Sequence, residues 1–212
     1  MSKHICREKE CEEELEELLK TFEEIEVIAS SLQALVKVEL SGYPIISNVS
    51  NMEELISAAK QELERRGIEV EGVSKEAIVR GEAEGTGGLL SLVIRRALYK
   101  KVKGSLPPDA PASPCPVCGL YPIAGVLKRV KGAIFSMDVV ELHCLCGYSA
   151  TIEQFHCPVC GNRDKQAFDL YVAGDVTYRA CMRCGHVIGI AKEGVEGERL
   201  PIAIAYEISR FA

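Results

Sequence analysis

The chain has 212 residues, 47% of them hydrophobic, enough for one ordinary core or two small ones and too apolar for a disordered polypeptide. Residues 1–111 hold 15 Lys and Arg against 21 Asp and Glu, and residues 112–212 hold 10 against 10. That balance lacks the basic face that phosphate contacts need, so nucleic acid is excluded as the expected partner. No apolar run approaches the roughly 18 residues of a membrane span, and the acidic N-terminus does not read as a signal peptide. The expectation is a cytoplasmic protein with reduced thiols.

Residues 11–38 read as one long amphipathic helix. Leu15, Leu18, Phe22, Ile25, Leu32 and Leu35 recur at three- and four-residue steps, with Glu12, Glu13, Glu16, Glu23 and Glu24 between them. The acidic face is read as a solvated surface over a core rather than as a dock for a basic partner. A second helix is expected from Asn51, with Ser50 or Asn51 as cap, to Gly67, and a short third one from Ser74 to Arg80. Gly81–Gly88 reads as a loop: it lacks the lysine and serine of a phosphate cradle, and no strand precedes it. A fourth helix follows over 89–103. Residues 106–114 contain four prolines in nine positions and form a stiff linker.

Beyond the linker come four cysteine pairs, each closed by glycine: Cys115-Pro-Val-Cys118-Gly119, Cys144-Leu-Cys146-Gly147, Cys157-Pro-Val-Cys160-Gly161 and Cys181-Met-Arg-Cys184-Gly185. A tight turn carrying two thiolates supplies half of a tetrahedral metal site, so four turns imply two sites. Each glycine suits a reversal that needs φ > 0 while backbone N–H groups point at sulfur. The motif Cys-Pro-Val-Cys-Gly recurs after 42 residues, each copy followed by a second knuckle. One site per copy is therefore expected: Cys115, Cys118, Cys144 and Cys146, then Cys157, Cys160, Cys181 and Cys184. The second knuckle is one residue short, and aligning it on its final Cys-Gly puts His143 in the first-ligand position. Either His143 or Cys144 could complete that site; Cys144 is preferred because thiolate binds more strongly and a bulge could absorb the deletion. The two bound ions, zinc or iron, are not distinguished by tetrahedral thiolate.

Short runs at 121–126, 135–142, 167–172 and 176–180 suit strand hairpins between knuckles, the arrangement of zinc ribbons and rubredoxins. Residues 200–211, with Pro201 at the start, suit a terminal helix. The fold class is therefore α+β: a helical domain (1–105), the linker (106–114), two rubredoxin-like or zinc-ribbon modules (115–152 and 153–192) and a helical C-terminal segment (193–212). His156 and His186 flank knuckles and read as loop residues, with hydrogen bonding to a ligand sulfur as the alternative. His4, Cys6 and Cys11 are read as two plain thiols and a histidine rather than a third site. No motif of a serine hydrolase, zinc protease or nucleotide-binding loop occurs, and Asp138, Glu141, Asp169 and Asp175 read as solvated residues, so no catalytic residue is assigned and an enzyme is not expected.

The second half resembles the formate dehydrogenase accessory (FdhE) proteins. The resemblance rests on residues 115–126, Cys-Pro-Val-Cys-Gly-Leu-Tyr-Pro-Ile-Ala-Gly-Val, on Leu142-His-Cys-Leu-Cys-Gly147, and on the distances to the third and fourth knuckles, and it covers about residues 88–212. It implies a helical domain followed by two rubredoxin-like modules linked to iron. It also implies a chaperone-like cytoplasmic maturation factor that binds the catalytic subunit of a formate dehydrogenase, or of a related molybdenum or tungsten oxidoreductase, and supports its assembly. Self-association is left open. Two other readings remain: a transcription-associated zinc ribbon, disfavoured by the missing basic patch, and a rubredoxin-like redox carrier.

Overall fold

The computed structural model describes residues 9–131, 136–194 and 199–211, with side chains over 13–131, 136–194 and 199–205. Helix α1 (Lys9–Leu32) buries Leu15, Leu19, Phe22, Ile25, Ile28, Ala29 and Leu32. It stops at Leu32, short of the expected 38, and Leu35 beyond it is exposed; Leu18, within the helix, is half-buried. The cause lies in Asn51. Its Nδ2 donates to the Leu35 carbonyl and its Oδ1 accepts from the Lys37 N–H, both at 3.0 Å, which holds that stretch extended. Val38, β-branched and suited to that backbone, then bridges to Val49. With its side chain engaged there, Asn51 does not cap helix α2 (Met52–Arg65), contrary to expectation.

Helix α3 (Lys75–Arg80) begins as expected, with Ser74 Oγ accepting from the Ala77 N–H at 3.1 Å. Helix α4 (Gly85–Val102) starts four residues before its expected position, inside the glycine-rich stretch. A Cβ at Gly87 would lie 2.5 Å from Val73 Cγ2, so this glycine serves a close crossing rather than a turn. Helices α1, α2 and α4 enclose one apolar core.

An ion cluster stitches α1 to α4. Glu26 pairs with Arg96 at 2.8 Å and with Lys100 at 2.7 Å, and the Arg96 guanidinium lies 4.4 Å from the centre of the Phe22 ring. Arg96 is 4% exposed, so its charge depends on this neighbour. Glu26→Gln is expected to destabilise the helical half by about 2 kcal/mol, read as a lower urea midpoint at unchanged slope.

The strands are β1 (Ala124–Lys131), β2 (Ser136–His143), β3 (Ser149–Glu153), β4 (Phe168–Ala173), β5 (Val176–Cys181) and β6 (Val187–Ala191). They form one six-stranded sheet in the order β3-β2-β1-β6-β5-β4. Each repeat is an antiparallel three-stranded meander, and the two meet through a short parallel pairing of β1 with β6, Ala124 opposite Gly189. Strand β1 runs past the expected 126 because its charged end is held across the ladder. Arg129 chelates Asp138 at 2.8 and 3.2 Å, and Lys128 pairs with Glu141. Asp138 and Glu141 are thus strand-pairing residues.

Ala124, Val126, Val176, Tyr178 and Ala191 on one face of the sheet pack with Leu15 and Leu19 of α1 and with helix α5 (Leu200–Phe211). Gly189 lets α5 lie flat: a Cβ there would fall 2.4 Å from Ile204 Cδ1. Val140, Leu142, Ile152 and Ile188 cluster on the opposite face, with Ala112 of the linker against them. Among the described residues, no helix is long and apolar enough to cross a membrane.

Candidate metal centres

Each meander places two knuckles side by side at one end. Three of them close identically. The N–H of the first cysteine donates to the carbonyl five residues on (Cys115 to Leu120, Cys157 to Asn162, Cys181 to His186, 2.8–2.9 Å), and the N–H of the glycine donates back to the first cysteine's carbonyl. The four glycines at 119, 147, 161 and 185 have φ of +77°, +102°, +70° and +74°, the left-handed region that a β-carbon disfavours.

The short knuckle keeps this scheme with one residue fewer. Cys144 N–H donates to the Tyr148 carbonyl and Gly147 N–H to the Cys144 carbonyl, both at 2.9 Å. The deletion is absorbed by a tighter turn, not by a bulge, and the Cys144 sulfur comes to 3.4 Å from that of Cys118. His143 remains in the β2 ladder, opposite Ala124 and Ser149.

The eight cysteines form two groups of four: Cys115, Cys118, Cys144 and Cys146 in centre one, and Cys157, Cys160, Cys181 and Cys184 in centre two, each with its sulfurs within 4.8 Å of one another. The close edges are Cys115–Cys146 at 3.6 Å, Cys118–Cys144 at 3.4 Å, Cys157–Cys184 at 3.6 Å and Cys160–Cys181 at 3.6 Å. A disulfide is excluded at such lengths. A tetrahedron with metal–sulfur bonds of about 2.3 Å has sulfur–sulfur edges of about 3.8 Å, so the donor sets fit, and the two groups could hold two metal ions.

The local fields favour thiolate at one member of each group. In centre one, hydrogen bonding from Cys115, Cys144 and Cys146 holds Cys118 well below the ordinary thiol range, helped by the nearby Arg95 charge. Burial pushes Cys146 well above it. In centre two, burial opposes ionisation of Cys181. The Arg183 N–H, the Cys160 thiol and the Cys184 N–H outweigh it and bring that thiol to about 7. The N–H groups of Cys160 and Val159 likewise point at Cys157 sulfur, and that of His186 at Cys184. These are the backbone–sulfur contacts that knuckles are expected to make.

The centres differ in their surroundings. All four cysteines of centre one are buried and belong to the same core as α1, α2 and α4. Ile45 and Ile46 donate their N–H groups to the Pro116 and Val117 carbonyls at 2.8 Å, sewing the first knuckle to the helical half. Arg95 of α4 donates to the Cys118 carbonyl at 2.6 Å and to the Ile78 carbonyl. In centre two, Cys160 and Cys184 are exposed, and Val159 and Met182 within the knuckles are 37% and 56% exposed. Its small cluster consists of Cys157, Cys181, Phe155 and Phe168.

Two arginines escaped the sequence reading. Arg95 lies in the apolar stretch 89–98 of α4, which offers no wet face, and Arg179 lies two positions before Cys181, on the cysteine face of β5. Both placements could have signalled burial. His186 is half-buried, its Nε2 3.0 Å from the Pro122 carbonyl. Of the ten cysteines and four histidines, His4 and Cys6, and the side chain of Cys11, lie outside the described residues.

The crystal structure of the FdhE protein from Pseudomonas aeruginosa superposes on this chain with a TM-score of 0.50 at 13% sequence identity, covering 74% of this chain. The chain has an FdhE-like fold. It spans 58% of the length of that protein. No protein-family model and no curated protein sequence matches it.

Proposed function

We propose that this chain is a metal-binding accessory protein that docks on the catalytic subunit of a formate dehydrogenase, or of a related molybdenum or tungsten oxidoreductase, and supports its assembly without turnover of its own. The observation that carries this reading is the occurrence of two tetrahedral four-cysteine groups on an FdhE-like fold. Metal binding at Cys115, Cys118, Cys144 and Cys146 would fasten the first ribbon to the helical half. Metal at Cys157, Cys160, Cys181 and Cys184 would shape the exposed end of the second ribbon. The protein works in the cytoplasm, where the thiols stay reduced, and the acidic helical half speaks against nucleic acid as its ligand.

Affinity capture of the tagged chain from its own host, under anaerobic conditions, is expected to enrich the catalytic subunit of such an oxidoreductase. Recovery of no oxidoreductase subunit would count against the reading. A second function, one-electron carriage by iron in centre two, is favoured by the exposure of Cys160 and Cys184. Reversible bleaching of a thiolate-to-iron absorption on reduction would support it, and two zinc ions in a colourless protein would rule it out.

A further inference from the structure

We infer that Arg95 and Arg179 are the built-in counter-charges of the two tetrathiolate centres, and that each fixes the affinity of its centre for a divalent cation. The inference rests on the metal-binding part of the function proposed above and adds residues that no cysteine pattern identifies. Both arginines are 2% exposed. Among the described residues neither lies within ion-pair distance of a carboxylate, in contrast to Arg96 and its Glu26. Among the described residues Arg95 donates to neutral oxygens: Ser91 Oγ at 3.1 Å and the carbonyls of Cys118 and Ile78. Arg179 donates to the His156 carbonyl at 3.2 Å and lies 5.0 Å from the centre of the Phe168 ring, while its Nε and Nη1 find no acceptor.

A guanidinium stays charged at any ordinary pH, and burying one without an anion is too costly for a fold to do twice by chance. The anion each one faces is the cysteine group. Arg179 stands two positions before Cys181 on β5 and donates to the carbonyl of His156, next to Cys157, while Arg95 donates to the carbonyl of Cys118 itself. A divalent ion with four thiolates carries a net charge of about −2, so each buried cation halves the charge its centre must hold out of water. A buried guanidinium bonded to a carbonyl in or beside a knuckle accompanies each centre, from a helix in one case and from a strand in the other. That recurrence argues for a requirement of the centre and not of local packing.

The test is placed at Arg179, because Arg95 also ties together two carbonyls of the helical half. Full-length wild type, Arg179→Gln and Arg179→Lys are loaded with Zn2+, and the affinity of each site is measured by competition with a chelator of known strength. Arg179→Gln is expected to weaken centre two by roughly 10- to 100-fold and leave centre one unchanged. Arg179→Lys, which keeps the charge, stays near wild type. A wild type that takes up two Zn2+ ions with an equally tight Arg179→Gln overturns the counter-charge alone. Equal loss in Gln and Lys variants, or failure of both to fold in saturating Zn2+, assigns Arg179 to packing and overturns it too. A wild type that binds no Zn2+ removes the metal reading itself.

Discussion

Replacing Cys118 with Ser is expected to unfold the helical half together with the first ribbon, whereas Cys184→Ser leaves the helical half standing. Cys115, Cys118, Cys144 and Cys146 share one apolar core with Ile25, Leu55, Ile94 and Leu98. The knuckle is tied to that core by the Ile45 and Ile46 backbone bonds and by Arg95. Losing one thiolate leaves three sulfurs and a buried guanidinium in an apolar site, with the metal's contribution gone. Structural zinc in small modules contributes about 10–16 kcal/mol, as much as a whole domain's stability of about 5–15 kcal/mol. Centre two has no such reach, since its cluster of Cys157, Cys181, Phe155 and Phe168 includes no helical residue. Circular dichroism distinguishes the cases. Cys118→Ser is expected to lose most of its helical signal and its cooperative melt, and Cys184→Ser to keep both. A Cys118→Ser protein that retained a native helical signal and melt would sink this account of centre one.

Local structure is most legible in the sequence where one residue's chemistry decides it. Knuckle glycines need positive φ and Ser74 caps α3, and both hold in the structure; the recurring Cys-Pro-Val-Cys-Gly matches the two groups of four in which the sulfurs lie. It is least legible where a residue's role depends on a partner far along the chain. Asn51 has the composition of a cap, yet Leu35 and Lys37 claim its side chain. Gly87 has the look of a loop residue, yet Val73 needs its missing β-carbon. Strands β3 and β6 were not expected at all. Ser149–Glu153 is too polar to stand out, and Val187–Ala191 carries a glycine whose reason is the Ile204 side chain of α5. The parallel pairing of β1 with β6, which fuses two ribbons into one sheet, leaves no mark in either strand's own pattern. At the short knuckle, spacing alone left His143 and Cys144 both open; the turn that brings the Cys144 sulfur beside Cys118, while His143 stays in the β2 ladder, is set by closing bonds that the spacing does not show.

Chelation of the metal-loaded protein is expected to proceed in two phases, one ion leaving quickly from centre two and one slowly from centre one. A chelator removes metal by displacing thiolates one at a time, so it must reach a sulfur first. Cys160 and Cys184 are exposed, as are the rim residues Val159 and Met182 beside them. Centre one offers no exposed sulfur: its knuckles sit under Tyr99, Arg96 and Pro44, whose atoms lie within 3.2 Å of where a β-carbon at Gly147 or Gly119 would be. Access there requires the helical half to open, a sub-global event that costs several kcal/mol. At about 1.4 kcal/mol per decade, the two rates should differ by at least roughly 100-fold. The slow phase should also accelerate with denaturant as unfolding does, while the fast phase stays nearly flat. One phase releasing both ions at the same rate would mean that the burial of centre one does not govern its exchange. Two phases would identify centre two as the position where metal, reductant or a partner's side chain can meet the protein without unfolding it.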